Sequence, residues 1–156
     1  MKNICIIANF EKTYFFSKVF EKFNSKNVFW IVVNKVQNSF LKTKFNNKNI
    51  LYLPKINRQF IYKNNLNEKI KLNEIIFSDR ILSNNSMESE KYLLYSKGKI
   101  ERFLKRNNIN YVLGELSWAI EVLTFRICQN IKFKKIQYLN PASIRIPQNR
   151  FLYFTD

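Results

Sequence analysis

The 156-residue chain contains no histidine, two glycines, two cysteines and three prolines. The lack of histidine excludes His-dependent catalytic triads and histidine-containing metal sites. Two cysteines cannot form a four-thiolate zinc site or the disulfide framework of a small secreted scaffold, and we expect Cys5 and Cys128 to be buried core thiols. Neither a Gly-x-Gly-x-x-Gly fingerprint nor a Gly-Lys-[Ser/Thr] phosphate loop is present. The sequence therefore predicts no metal and no cofactor.

Long hydrophobic runs are also missing. No stretch approaches the roughly 20 consecutive apolar residues of a membrane-spanning helix. The apolar run at 4–8 is too short for the core of a signal peptide and is typical of a buried strand. Together with the cysteine content, these features predict a cytoplasmic protein.

Acidic residues are scarce relative to basic ones: the chain has 11 Asp and Glu residues and 27 Lys and Arg residues, which gives a net charge of +16. Such a charge suits either a polyanion-binding surface or an ordinary solvated surface in a chain biased toward Lys and Asn. Only seven of the basic residues are Arg, the residue best suited to bidentate phosphate contacts. We therefore favour a solvated surface over nucleic-acid binding, and we include contact with an anionic membrane at the inner face of the cell among the expectations.

Apolar runs of strand length alternate with segments of helical periodicity. Strands are predicted at 4–8, 28–33, 50–53, 111–116 and 136–139, and helices at 11–25, 85–108 and 117–131. A capping-box-like pair, Asn85 and Glu88, marks the start of the second helix, and Lys12 is expected on the outward face of the first. Residues 56–78 are ambiguous, with a short element expected near their end. This alternation predicts one α/β domain with a parallel sheet wrapped by helices.

Ligands of open α/β sheets bind outside the carboxyl ends of the strands. The residues that follow the predicted strands are 9–11, 115–117 and 140–143. Glu115 lies between an apolar strand and an apolar helix, so its carboxylate must be desolvated, paired or used. It is either an ion-paired structural residue or a group that binds a sugar hydroxyl or acts as a base. Gly114 permits a close backbone approach or an unusual dihedral angle, and Ser117 is expected to cap the following helix. The helix dipole is a simpler explanation for Glu121 than a functional role, which stays as the alternative.

Further candidates carry charge near other predicted strands. Asp79 and Arg80 follow the apolar residues 75–77 and form either a local turn or surface pair or a ligand contact. Arg145 and Arg150 lie among apolar residues and are either outward-facing strand residues or contacts to an anionic group.

Several segments in the last third of the chain resemble those of a known group of proteins. The segments are YVLGELSWAIE at 111–121, YLNP at 138–141 and IRIPQNRF at 144–151, with the pair at 79–80 before a long helix. They resemble bacterial capsular or surface polysaccharide biosynthesis proteins, which are similar to two-domain glycosyltransferases of the B type. The resemblance covers roughly residues 75–156 and, more weakly, the first strand.

The resemblance implies a Rossmann-like fold with helices on both faces of the sheet, and a site in the cleft between two such domains. It implies that the acceptor side of this cleft is lined by Asp79, Arg80, Glu115, Ser117, Asn140, Arg145 and Arg150. Glu115 would be the catalytic base or a hydroxyl ligand. The expected partner is a glycan or lipid-linked acceptor, and a sugar nucleotide would bind only with a second domain.

The end of the sequence leaves two alternatives open. Residues 1–142 are expected to form the Rossmann-like N-terminal domain. Residues 143–156 form either an edge strand that closes the sheet or a strand-like segment that leads into a second domain, in which case the isolated chain would be inactive. Two further functions remain as alternatives, namely a small basic nucleic-acid-binding domain and a catalytically inactive interaction domain.

Overall fold

Strands and helices alternate along the chain. A computed structural model describes residues 2–22, 25–54, 72–79, 82–84, 86–130, 135–142 and 152–154. Its strands are β1 (Asn3–Ile7), β2 (Val28–Val32), β3 (Ile50–Tyr52), β4 (Ile109–Leu113), β5 (Gln137–Ala142) and β6 (Leu152–Phe154). Its helices are α1 (Phe10–Glu21), α2 (Lys35–Lys42), α3 (Leu72–Ser78), α4 (Ser86–Arg106) and α5 (Ala119–Asn130).

The strands form one sheet in the order β3-β2-β1-β4-β5-β6. The first five are parallel, and β6 pairs antiparallel with β5 at the edge. This order is typical of Rossmann folds, in which the chain starts in the middle of the sheet and proceeds first to one edge and then to the other. The predicted α/β domain with a parallel, Rossmann-like sheet is confirmed.

Both faces of the sheet are covered, as the interior strand β2 illustrates. Trp30 is fully buried in the cluster that α1 and α2 form on one face, whereas Phe29 and Ile31 are buried in the cluster beneath α3, α4 and α5 on the other. Alternate residues of a strand point to opposite faces, so a strand covered on both sides must be apolar throughout. Cys5 and Cys128 are both buried in the second cluster, as predicted, and burial raises the pKa of each thiol, that of Cys128 to about 12.

Local signals explain where two of the helices begin and end. The side chain of Asn34 accepts hydrogen bonds from the backbone N–H groups of Val36 and Gln37, which caps α2. No helix was predicted there, because the segment is short and mostly polar, although Val36, Phe40 and Leu41 have helical spacing. Helix α4 ends at Arg106, two residues before the predicted end at 108, and Asn108 has a φ of 51°, the left-handed conformation that Asn tolerates after a helix. Asn85, the predicted start of α4, lies outside the described residues.

The end of β5 corrects one prediction. The strand was expected to stop at 139, but it continues through Asn140 and Pro141, which pair with Phe154 and Tyr153 of β6. Its pairing with β4 ends at Leu139, so Pro141 lies beyond the point where β5 is bonded on both sides. A proline that donates no hydrogen bond is tolerated at such a position.

None of the described helices is long and apolar enough to cross a membrane.

Candidate functional site

The topology places a crevice between the carboxyl ends of β1 and β4. The chain leaves β1 toward α1 on one face of the sheet and leaves β4 toward α5 on the other, and ligands of open α/β folds bind at such a switch point. Asn9 follows β1, and Glu115 follows β4. Because β1 and β4 are adjacent, residues separated by more than a hundred positions in sequence meet here.

Three partly exposed side chains contact one another at this crevice. The Lys12 ammonium forms an ion pair with Glu115 Oε1, and Asn9 Nδ2 donates a hydrogen bond to Glu115 Oε2 at 3.1 Å. The side chains of Lys12 and Glu115 are 39% and 21% exposed, so a ligand can reach both. We call Asn9, Lys12 and Glu115 the crevice cluster. Lys12 was expected on the outward face of α1; its side chain is partly exposed, and its ion pair with Glu115 was not predicted.

A second carboxylate, that of Glu121, lies beneath the crevice cluster. Its Oε2 accepts hydrogen bonds from the backbone N–H groups of Ser117 and Trp118, both at 3.0 Å, and its Oε1 accepts one from Asn9 Nδ2 at 3.2 Å. A glutamate in the first turn that reaches back to the start of its own helix is one half of a capping box. Asn9, which is the N-cap residue of α1, makes no side-chain bond to its own helix and instead links the two glutamates.

Glu121 is the most deeply buried of the carboxylates at this edge of the sheet, at 1% exposure. Burial disfavours its charged form and raises its pKa to about 7, although the three hydrogen bonds and the charge of Lys12 act in the opposite direction. From the sequence, the helix dipole was the simpler explanation for Glu121, and Glu115 was expected to be the carboxylate that is desolvated, paired or used. In the structure Glu115 is paired and Glu121 is the desolvated one.

Asp79 holds the same helix start from another segment. Its Oδ2 accepts a hydrogen bond from Ala119 N–H at 3.0 Å, and its Oδ1 accepts one from Leu82 N–H at 3.2 Å. Asp79 is buried, and the structure therefore gives it a capping role. Its predicted contact with a ligand stays a prediction.

The remaining predicted site residues have different positions. Ser117 is exposed and lies two residues before α5, so it is not the side-chain cap that was expected. Asn140 is half-buried within β5 rather than after it. Ligand contacts by these two residues stay predictions. Arg80, Arg145 and Arg150 lie outside the described residues.

Gly114 and Tyr138 fix the loop that carries Glu115. A Cβ atom on Gly114 would lie 2.6 Å from Tyr138 Oη and 2.8 Å from Ile7 Cδ1, so this position requires the close approach that glycine allows. The Tyr138 hydroxyl donates a hydrogen bond to the backbone carbonyl of Glu115 at 2.9 Å, and burial raises the pKa of Tyr138 above its usual range. The alternative for Gly114, an unusual dihedral angle, is not observed.

The site offers hydrogen-bond donors and acceptors. Within the described part of the chain, no group of three or more Cys, Asp or Glu side chains could hold a metal ion. Its accessible groups are an ammonium, an amide and a carboxylate, which can bind hydroxyl groups or take a proton from one. Lys12 was not among the predicted site residues, although its position in the first turn of the helix that follows β1 is a usable signal. Comparison of the chain with protein-family models, with curated proteins and with solved structures found no match.

Proposed function

We propose that this domain is the N-terminal, acceptor-side domain of a glycosyltransferase-like protein of capsular or surface polysaccharide biosynthesis. The observation that carries the proposal is the crevice cluster of Asn9, Lys12 and Glu115, which is open to solvent at the switch point of a Rossmann-like sheet. The resemblance of residues 75–156 to polysaccharide biosynthesis proteins supports the same function. In this proposal the crevice cluster binds the acceptor glycan.

The chemistry of the crevice cluster suits sugar hydroxyl groups. A hydroxyl both donates and accepts hydrogen bonds, so neighbouring hydroxyls on a sugar need donors and acceptors placed side by side. Glu115 supplies acceptor oxygens, and Lys12 supplies N–H donors next to them. Both side chains are partly exposed, and a hydroxyl pair can replace their mutual contact without leaving either charge unsolvated.

The start of α5 favours a hydroxyl-bearing ligand over a phosphate. Helix N-termini commonly bind phosphate because their first N–H groups point outward and the dipole is positive there. In this protein the N–H groups of Ser117 and Trp118 donate to Glu121, and that of Ala119 donates to Asp79. Two carboxylates therefore occupy the place of an anion. A nucleotide diphosphate would be held by a second domain, as the resemblance implies.

Glu115 acts as the general base in the proposed reaction. An acceptor hydroxyl attacks the anomeric carbon of a sugar nucleotide. The new carbon–oxygen bond forms while the bond from that carbon to the phosphate oxygen breaks, and the nucleoside diphosphate leaves with the electron pair. The hydroxyl proton passes to the Glu115 carboxylate, and Lys12 hydrogen-bonds the neighbouring acceptor oxygen and holds the ring in place.

Glycan binding by the isolated chain tests this proposal. On an array of oligosaccharides released from bacterial capsules and surface polysaccharides, we expect the wild type to bind a restricted set. Glu115→Gln keeps the shape of the side chain but removes its charge, and we expect it to bind that set about tenfold more weakly, because charged hydrogen bonds are the stronger ones. Glu21→Gln, at an exposed ion pair with Lys44, is the matched control and should bind as the wild type does.

Two outcomes would contradict the proposal: no oligosaccharide bound by the wild type, or equal binding by Glu115→Gln.

Ionic strength separates the proposal from nucleic-acid binding. Between about 50 and about 200 mM salt, affinity for a neutral glycan should change by no more than about twofold, whereas affinity for a nucleic acid would fall steeply through counterion effects.

A further inference from the structure

The loop between β4 and α5 exposes large apolar side chains beside the crevice cluster. Leu116 and Trp118 are 36% and 37% exposed, whereas Trp30, the other tryptophan of the chain, is fully buried. Indole is among the largest side chains available for a core, and Trp118 keeps more than a third of its surface open to solvent in a loop at a switch point. Binding residues are concentrated in such loops on rigid scaffolds.

The backbone of Trp118 is held firmly. Its N–H group donates to Glu121 Oε2 at 3.0 Å, and the next N–H group, that of Ala119, donates to Asp79. Tyr138 fixes the same loop at the carbonyl of Glu115, three residues before Trp118. An aromatic side chain on a fixed backbone loses little conformational entropy when a ligand binds, which favours it as a contact residue.

We propose that Trp118 is the stacking platform for a neutral pyranose ring of the acceptor glycan, an inference that rests on the proposed function. A pyranose presents a face of C–H groups, and their partial positive charge suits the negative face of an aromatic ring. The ring lies on the indole while its hydroxyls bond to Glu115 and Lys12, and Leu116 extends the apolar contact. The combination of an aromatic plane, a carboxylate and an ammonium assigns the substrate class as a neutral hexopyranose rather than an acidic sugar or a phosphate.

The two tryptophans make this proposal measurable by intrinsic fluorescence. Because Trp30 is fully buried, a neutral quencher such as acrylamide should act mainly on Trp118 in the free protein. In Trp118→Phe only the buried Trp30 fluoresces, and this variant gives the background. The probe is the array oligosaccharide that the wild type binds most tightly, at a saturating concentration.

We expect the bound oligosaccharide to reduce acrylamide quenching of the wild type by about half. Trp118→Ala should bind it about tenfold more weakly, and Trp118→Phe about twofold to threefold more weakly, since a smaller ring still stacks. The matched control is Tyr14→Leu, which removes an exposed aromatic ring on the side of α1 that contacts Phe40, and it should bind as the wild type does. Near-native circular dichroism of each variant shows that the fold is kept.

The outcomes separate this inference from the proposed function. If the oligosaccharide binds and Glu115→Gln weakens it, while quenching and Trp118→Ala affinity are unchanged, the stacking role is wrong and the proposed function stands. If binding is selective for acidic sugars, the assigned substrate class is wrong. If the wild type binds no oligosaccharide, both proposals fail.

Discussion

Replacing Asp79 with alanine is expected to lower the free energy of unfolding by about 2–4 kcal/mol, because the N–H groups of Leu82 and Ala119 lose their acceptors. Asp79 is buried, so water cannot freely replace its oxygens. The substitution also removes a negative charge from the start of α5, where the helix dipole favours one. Urea denaturation followed by far-ultraviolet circular dichroism measures the loss.

Two variants serve as controls for Asp79→Ala. Asp79→Asn keeps one acceptor oxygen and presents an amide N–H₂ to the other donor, so its loss should be intermediate. Glu74→Gln removes a carboxylate of α3 that is exposed and lies 3.8 Å from the Arg126 guanidinium, and a surface pair of this kind should change stability by less than about 0.5 kcal/mol. An Asp79→Ala loss no larger than that of Glu74→Gln would show that Asp79 does not hold α5.

The raised pKa of Glu121 predicts that the protein is less stable above neutral pH than below it. Burial raises the pKa of Glu121 from an ordinary value of 4.5 to about 7, so between these values the folded state binds more protons than the unfolded state. The free energy of unfolding therefore falls as pH rises, and the full shift corresponds to a loss on the order of 3 kcal/mol between about pH 4.5 and about pH 8. Above that range Glu121 is charged in both states and the loss is complete.

Glu121→Gln isolates this contribution. Glutamine keeps an oxygen for the N–H groups of Ser117 and Trp118 and carries no charge, but it loses the hydrogen bond from Asn9 Nδ2, which stays with Glu115. We expect the variant to be more stable than the wild type at about pH 8 and to lose most of the pH dependence. Urea denaturation of both proteins at several pH values gives the difference, with Glu21→Gln as a control that should retain the wild-type slope. Parallel curves for wild type and Glu121→Gln would contradict the account.

The sequence predicted the sheet well because its strands are buried on both faces. The run at 28–33 is apolar throughout, and β2 is observed at Val28–Val32. The patterns around β1, β3 and β4 likewise locate the observed strands to within a few residues. Helix α2 was not predicted, since its eight residues offer only three apolar positions, Val36, Phe40 and Leu41, although these lie at helical spacing. Its start depends on the side-chain cap by Asn34, a local contact that the hydrophobic pattern does not show.

The candidate site was predictable in outline but not in its contacts. The rule that ligands bind at strand carboxyl ends singled out residues 9–11 and 115–117, and two of these, Asn9 and Glu115, are in contact. The order of the strands, which brings Asn9 to within 3.1 Å of Glu115, depends on the whole fold and not on any local pattern. The different burial of Glu115 and Glu121 likewise arises from tertiary packing. A helical position such as Lys12 can serve the solvent face or the crevice, and periodicity alone does not choose between them.

The most direct test of the central claim is to map where a glycan binds by amide chemical-shift changes, with the oligosaccharide that the wild type selects on the array as the probe. The account predicts that the largest changes fall on Asn9, Lys12, Gly114 and Glu115, around the crevice between β1 and β4, and that they diminish in Glu115→Gln. Largest changes on the outer face of α1 or along α4, with the signals of the crevice cluster unmoved, would contradict it.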